Sequence, residues 1–139
     1  MFKTILVPID MAHAAEGMAT IDIAAEHSAS GAKIILLNVV EEIPGWAAAE
    51  LPANLLEESR SKAHENLKAM AKASGMPMEA EIRSGHAYKT ILDVAQEKKV
   101  DLIIIASHRP GLQDYFLGST AAKVVRHAKC SVLVVRATT

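Results

Sequence analysis

The chain holds little that could cross-link, stack or span. Its one cysteine, Cys130, excludes an internal disulfide. That residue enters an apolar run, which suggests a buried structural thiol rather than a reactive one. Aromatic residues make up only 4% of the 139, although half the chain (50%) is hydrophobic, so a core must be built from Ile, Leu, Val, Ala and Met. No apolar stretch approaches the roughly 18–20 residues of a membrane span. The first apolar run, Ile5 to Ile9, is too short for a signal-peptide core and ends at Asp10. Neither sign of charge dominates: the formal net charge is -1, without the clustered basic excess of a nucleic-acid protein. Together these absences point to a cytoplasmic protein with no nucleic-acid partner.

Catalytic and metal signatures are missing as well. There is no GxSxG, Walker A loop, GxGxxG or pair of placed carboxylates. The histidines (His13, His27, His64, His86, His108, His127) have no metal-ligand spacing. No general base is evident, so an enzyme is not the leading reading.

What the chain does have is rhythm. Five short apolar runs recur: Thr4–Ile9, Ile34–Val40, Met78–Ile82, Leu102–Ala106 and Ser131–Val135. Four are nearly continuous Ile, Leu and Val, as expected of strands buried on both faces of a parallel sheet. The third alternates apolar and charged residues and predicts an edge strand. Between them lie amphipathic helical patterns. Ala14 to about Ser30 should form the first helix, ending at Gly31. Leu56, Ala63, Leu67, Met70 and Ala71 mark the longest, which stops at Gly75 and Pro77. Tyr88, Ile91, Leu92 and Ala95 mark the next, and Ala121, Val124, Val125 and Ala128 the last. One long irregular stretch, Glu41 to Asn54, carries Pro44, Gly45, Trp46 and Pro52.

The order βαβαβαβαβ predicts an α/β fold, a five-stranded parallel doubly wound sheet with helices on both faces, over a single domain, residues 1–139. Periodicity does not dictate strand order. In the order 3-2-1-4-5 the winding reverses between strands one and four, and a ligand would sit outside their carboxyl ends. Asp10 ends strand one, and the segment from Ser107 to Ser119 follows strand four. Gly118, Ser119 and Thr120 open the last helix, where unpaired N–H groups and the dipole suit an anion. The plainer alternative is that Ser119 or Thr120 simply caps that helix. His108 and Arg109 could serve a phosphate or lie on the surface.

At these residues the sequence resembles the universal stress protein family over essentially its whole length. The segments that carry the resemblance are Thr4 to Asp10, Leu36 to Val39, Asp101 to His108 and, most strongly, Leu117 to Arg136. The Ala-Ser-His-Arg-Pro wording of Ala106 to Pro110 resembles the bacterial F/G-type branch. The resemblance implies an adenine nucleotide alpha hydrolase-like fold that binds ATP, AMP or another adenine nucleotide, with Mg²⁺ in attendance. ATP-binding members carry Gly-x-x-Gly-x9-Gly-Ser/Thr. Gly118 and Ser119 match the final pair, with Thr120 following. Ala106 and Arg109 stand in place of the first two glycines, as they do in the F/G-type branch, and the loop is one residue shorter.

Asp10 matches the family's aspartate near ribose and metal, and Pro8 and Ile9 match its neighbours. Val39 matches the residue whose backbone meets adenine, and Ile105 the one before the first glycine. Met11-Ala12 stands where the family often has Gly-Ser, removing that cap. The resemblance also implies a homodimer through Ser131 to Val135, and the apolar row there would otherwise be an exposed edge. A slow ATPase with Asp10 on Mg²⁺, a dimeric interaction module without nucleotide and a flavin protein remain as alternatives.

Overall fold

A computed structural model of the chain describes residues 2–41, 45–107 and 118–136. The strands are β1 (Phe2–Pro8), β2 (Ser28–Val40), β3 (Glu79–Ser84), β4 (Leu102–Ala106) and β5 (Ser131–Val135). The helices are α1 (Ala14–His27), the four-residue α2 (Gly45–Ala48), α3 (Ala53–Ala73), α4 (Ala87–Glu97) and α5 (Ser119–His127). All strand pairs are parallel, and the sheet order is β3-β2-β1-β4-β5.

Alternation of side chains along the central strands creates two cores. Ile5, Val7, Ile34, Leu36 and Ile104 face α1 and α3, where Ile21, Leu67 and Met70 meet them. Leu6, Ile35, Leu37, Ile103 and Ile105 face α4 and α5, against Ile91, Val94, Ala121 and Val124. The central strands β1, β2 and β4 are therefore buried on both faces, as expected of a doubly wound sheet, whereas β5, equally apolar, lies at the sheet edge and is only half-buried. The amphipathic stripes point inward, with one departure: Val125 on α5 is exposed.

Helix α1 ends three residues before the expected Ser30. His27 Nδ1–H donates to Ile23 O (2.9 Å), and Ser28 Oγ–H donates to Ala25 O (2.8 Å), closing the last turn. Ser28 then pairs with Phe2 of β1, and the register shifts before Thr4 meets Lys33. Gly31, at φ +76°, sits in this irregularity instead of capping the helix. Sheet pairing, a long-range effect, overrides local helix propensity here.

Two later helices end alike but with different residues. After α3, Gly75 takes the left-handed conformation (φ +75°), where it has no Cβ to strain. After α4, Lys99 N–H donates to Gln96 O and Val100 N–H to Ala95 O, a Schellman closure. Lys99 occupies the left-handed position itself (φ 54°), which costs a non-glycine residue about 1–2 kcal/mol.

Asp101 joins the two halves of the sheet. Its carboxylate accepts from the backbone N–H groups of Lys3 and Thr4 (2.9 Å each), while its own N–H donates to Thr4 O. Burial pushes this carboxyl up, but the two backbone donors outweigh it and hold it below the usual value. Within the expected irregular stretch, α2 carries Trp46, which is 78% exposed. Cys130, expected to be buried, is only half-buried against the α4/α5 core, and desolvation pushes its thiol up. No helix among the described residues is long and apolar enough to cross a membrane.

Candidate functional site

The carboxyl ends of β1, β2 and β4 surround a cavity of about 240 Å³, close to the lower bound of about 300 Å³ for small-ligand clefts. It lies at the switch point between β1 and β4, where one connection winds over α1 and the other over α4. Of the residues picked from sequence, Pro8, Ile9, Asp10, Val39, Ile105, Ala106 and Thr120 line it.

The geometry of the Asp10 corner follows from Pro8. Proline gives no N–H to the sheet, and the chain is steered out of the β1–β2 ladder just beyond it. Ile9 N–H donates to Leu37 O (2.7 Å), and the Asn38 Nδ2 amide donates to Ile9 O (2.8 Å). Asn38 is buried, so this bond is made out of reach of water and fixes the approach to Asp10. Asp10 then turns the chain into a 3₁₀ turn (Met11–His13), and its Oδ1 accepts from Ala12 N–H at 2.9 Å. The cap expected to be lost with Met11-Ala12 is thus supplied by Asp10 itself.

At the opposite wall α5 begins. Gly118, not Ser119 or Thr120, occupies its N-cap, and among the described residues no side chain caps it. Capping by either hydroxyl is therefore corrected: both residues lie inside the helix. Gly118 is buried, with φ -55°, a conformation open to any residue, so backbone strain does not demand a glycine.

Ser107, Gly118 and Ser119 do not line the cavity. Ser107 instead donates its N–H to Val135 O (2.9 Å), with its hydroxyl at 3.4 Å from the same oxygen, fastening the end of β5. His108 and Arg109 lie outside the described residues, as does the rest of the loop to Leu117.

Seven further lining residues had not been picked out, and four of them shape the site. Asn38 was legible as the polar residue inside Leu36–Val40, a buried amide that had to find a partner. Glu16 and Glu41 bring carboxylates to the lining beside Asp10. Gly17 allows α1 to approach: a Cβ there would lie 3.1 Å from both Ile9 Cγ2 and Met70 Cε. No sequence pattern announced Glu16 or Gly17, because they depend on how α1 docks. Among the described residues, no group of three or more His, Cys, Asp or Glu could hold a metal ion.

The model of the universal stress protein family matches residues 1–136. The chain belongs to this family. It is 32% identical to a universal stress protein of Methanocaldococcus jannaschii over 98% of this chain and 83% of the relative. Two solved structures share the fold. One is a universal stress protein in complex with cAMP (TM-score 0.70, 23% identity, covering 99% of each chain). The other is the universal stress protein from Archaeoglobus fulgidus in complex with dAMP (TM-score 0.64, 19% identity, covering 95% of this chain and 96% of that one). The strand order expected from sequence is the order found, on the adenine nucleotide alpha hydrolase-like fold.

Proposed function

We propose that this universal stress protein is a regulatory binding protein for an adenine nucleotide, ATP foremost, and not a dedicated enzyme. The observation that carries the reading is the cavity at the β1/β4 switch point, which gathers Asp10, Val39, Ile105 and the start of α5 around one space. Val39 and Ile105 offer apolar walls for the base. Asp10 offers a carboxylate to ribose hydroxyls, and the uncapped start of α5 offers N–H groups to phosphate. Nucleotide in the cAMP and dAMP complexes of two relatives supports the same use of the fold.

The donor set suits Mg²⁺ carried in on phosphates, which needs only one or two protein carboxylates, better than a metal held by protein alone. Asp10 would be that ligand. The chain acts as a single domain in the cytoplasm and pairs into a homodimer through β5. The Ala106 to Pro110 wording supports a place in the F/G-type branch.

Denaturing the purified protein and identifying released small molecules by mass spectrometry tests the reading. Adenine nucleotide should appear, or added ATP should bind in calorimetry. Asp10→Ala, at the cavity wall, should weaken binding in the presence of Mg²⁺ while leaving the circular dichroism spectrum unchanged. A protein that is empty and indifferent to ATP, AMP and cyclic AMP would overturn it.

A further inference from the structure

At the other end of β4 and β5, the last turns of α4 and α5 enclose a second cavity of about 190 Å³. Its floor is apolar: Leu92, Ala95, Val100 and Ala128, with Cys130 among them. Its remaining lining, among the described residues, is Gln96 and three basic residues, Lys99, His127 and Lys129, with no carboxylate. Asp101 is felt by the Cys130 thiol, but its oxygens accept from the Lys3 and Thr4 N–H groups.

Cations at a helix C-terminus are favoured by the helix carbonyls, and Lys99 and Lys129 each stand two residues past one. That accounts for the sign of the charge but not for two further facts. Lys99 holds a left-handed position that glycine would occupy without strain, so its side chain is kept at a cost to the fold. Among the described residues, neither Lys99 nor Lys129 has an ion-pair partner, whereas adjacent Lys98 reaches Glu81 (3.9 Å). Two unspent ammonium groups thus border an open apolar floor.

We infer that this cavity binds a small organic anion, a carboxylate with an unbranched apolar body. At about 30 Å³ per displaced water, the space suits a chain of roughly six to eight carbons. The carboxylate would sit between Lys99 and Lys129, and the chain would lie over Val100 and Ala128 towards Cys130. This site shares no lining residue with the nucleotide cavity and stands or falls independently of it.

Cys130 is the sole cysteine, so its alkylation reports on this cavity alone. With the full chain, octanoate should slow alkylation of Cys130 by iodoacetamide saturably and at least about threefold, while octanol at equal concentration should protect far less. Lys99→Gly and Lys129→Gln should each weaken octanoate about two- to fivefold, the range for an exposed charge contact. Lys99→Gly should at the same time raise the thermal midpoint, which rules out misfolding as the cause. Absence of protection by octanoate, equal protection by octanol, or unaltered affinity in both variants would overturn the inference.

Discussion

The two edges of the sheet are opposites. β3 presents Glu79, Glu81 and Arg83. Arg83 binds Glu97 at 2.7 Å and Glu81 at 3.1 Å, Lys98 approaches Glu81, and Lys33 pairs with Glu79 at 3.5 Å. The hydrogen bond to Glu97 first, and then that to Glu81, raise the Arg83 guanidinium above its usual range. β5 is Ser-Val-Leu-Val-Val, without a charge, and its four apolar residues are half-buried. A strand edge is a template for further pairing unless charge or cover blunts it. The contrast teaches that one sheet can refuse a partner on one side and offer a seat on the other, through side-chain choice at a handful of positions.

The largest expected effect is on the apolar edge. Val135 O accepts from Ser107 N–H, so Val135 faces β4. The N–H and C=O of one strand residue point the same way, and successive residues alternate. Val134 therefore directs its N–H away from β4, towards any partner. Val134→Pro removes that donor where a sheet tolerates proline. It should convert a two-chain particle into a one-chain particle in sedimentation without unfolding it. A wild type that sediments as one chain at all concentrations would remove the contrast between the edges.

The seam between the edges comes next. Asp101→Asn should cost about 1–2 kcal/mol at neutral pH, because a charged acceptor of two backbone N–H groups is lost. The carboxyl is held low in the folded state. Its contribution is therefore full above the unfolded value of about 4 and disappears as pH falls through the folded one. Chemical denaturation at successive pH values should show wild type and variant converging in acid. Parallel curves would deny Asp101 the role of fastener.

On the charged edge, Arg83→Ala should destabilise by about 1 kcal/mol, since Glu81 and Glu97 lose their shared counter-charge. Among the described residues Glu81 Oε2 is buried without a hydrogen-bond partner, so this carboxylate has little in reserve. The same variant should leave the sedimentation of the protein unchanged. The smallest effect belongs to Lys33→Ala. Its pair with Glu79 is about half exposed on both sides, and the unfolding free energy should change by less than about 0.5 kcal/mol.

These contrasts also explain what was legible beforehand. β4 and β5 run over the residues read from sequence because each is an apolar run bounded by polar residues. The edge position of β3 followed from its alternation. The end of α1 did not follow, because the pairing of Ser28 with Phe2 is invisible in local propensity. In the candidate site, strand-end residues such as Asp10, Val39 and Ile105 could be named, since topology places strand ends together. Glu16 and Gly17 could not, because their place in the lining depends on how closely α1 rides over Ile9, whereas Glu41, next after β2, was within reach of the strand-end argument. Asn38 was within reach, for an amide inside a buried strand must bond something.

Trp46 is the sole tryptophan and stands largely in solvent on α2, away from both cores. Its emission should therefore already be red-shifted in the folded state and change little when the cores melt. A fluorescence melt would report a false calm, and the unfolding experiments above need circular dichroism. The same indole makes a local reporter of the segment after β2, whose first residue, Glu41, lines the cavity at the carboxyl ends of the strands.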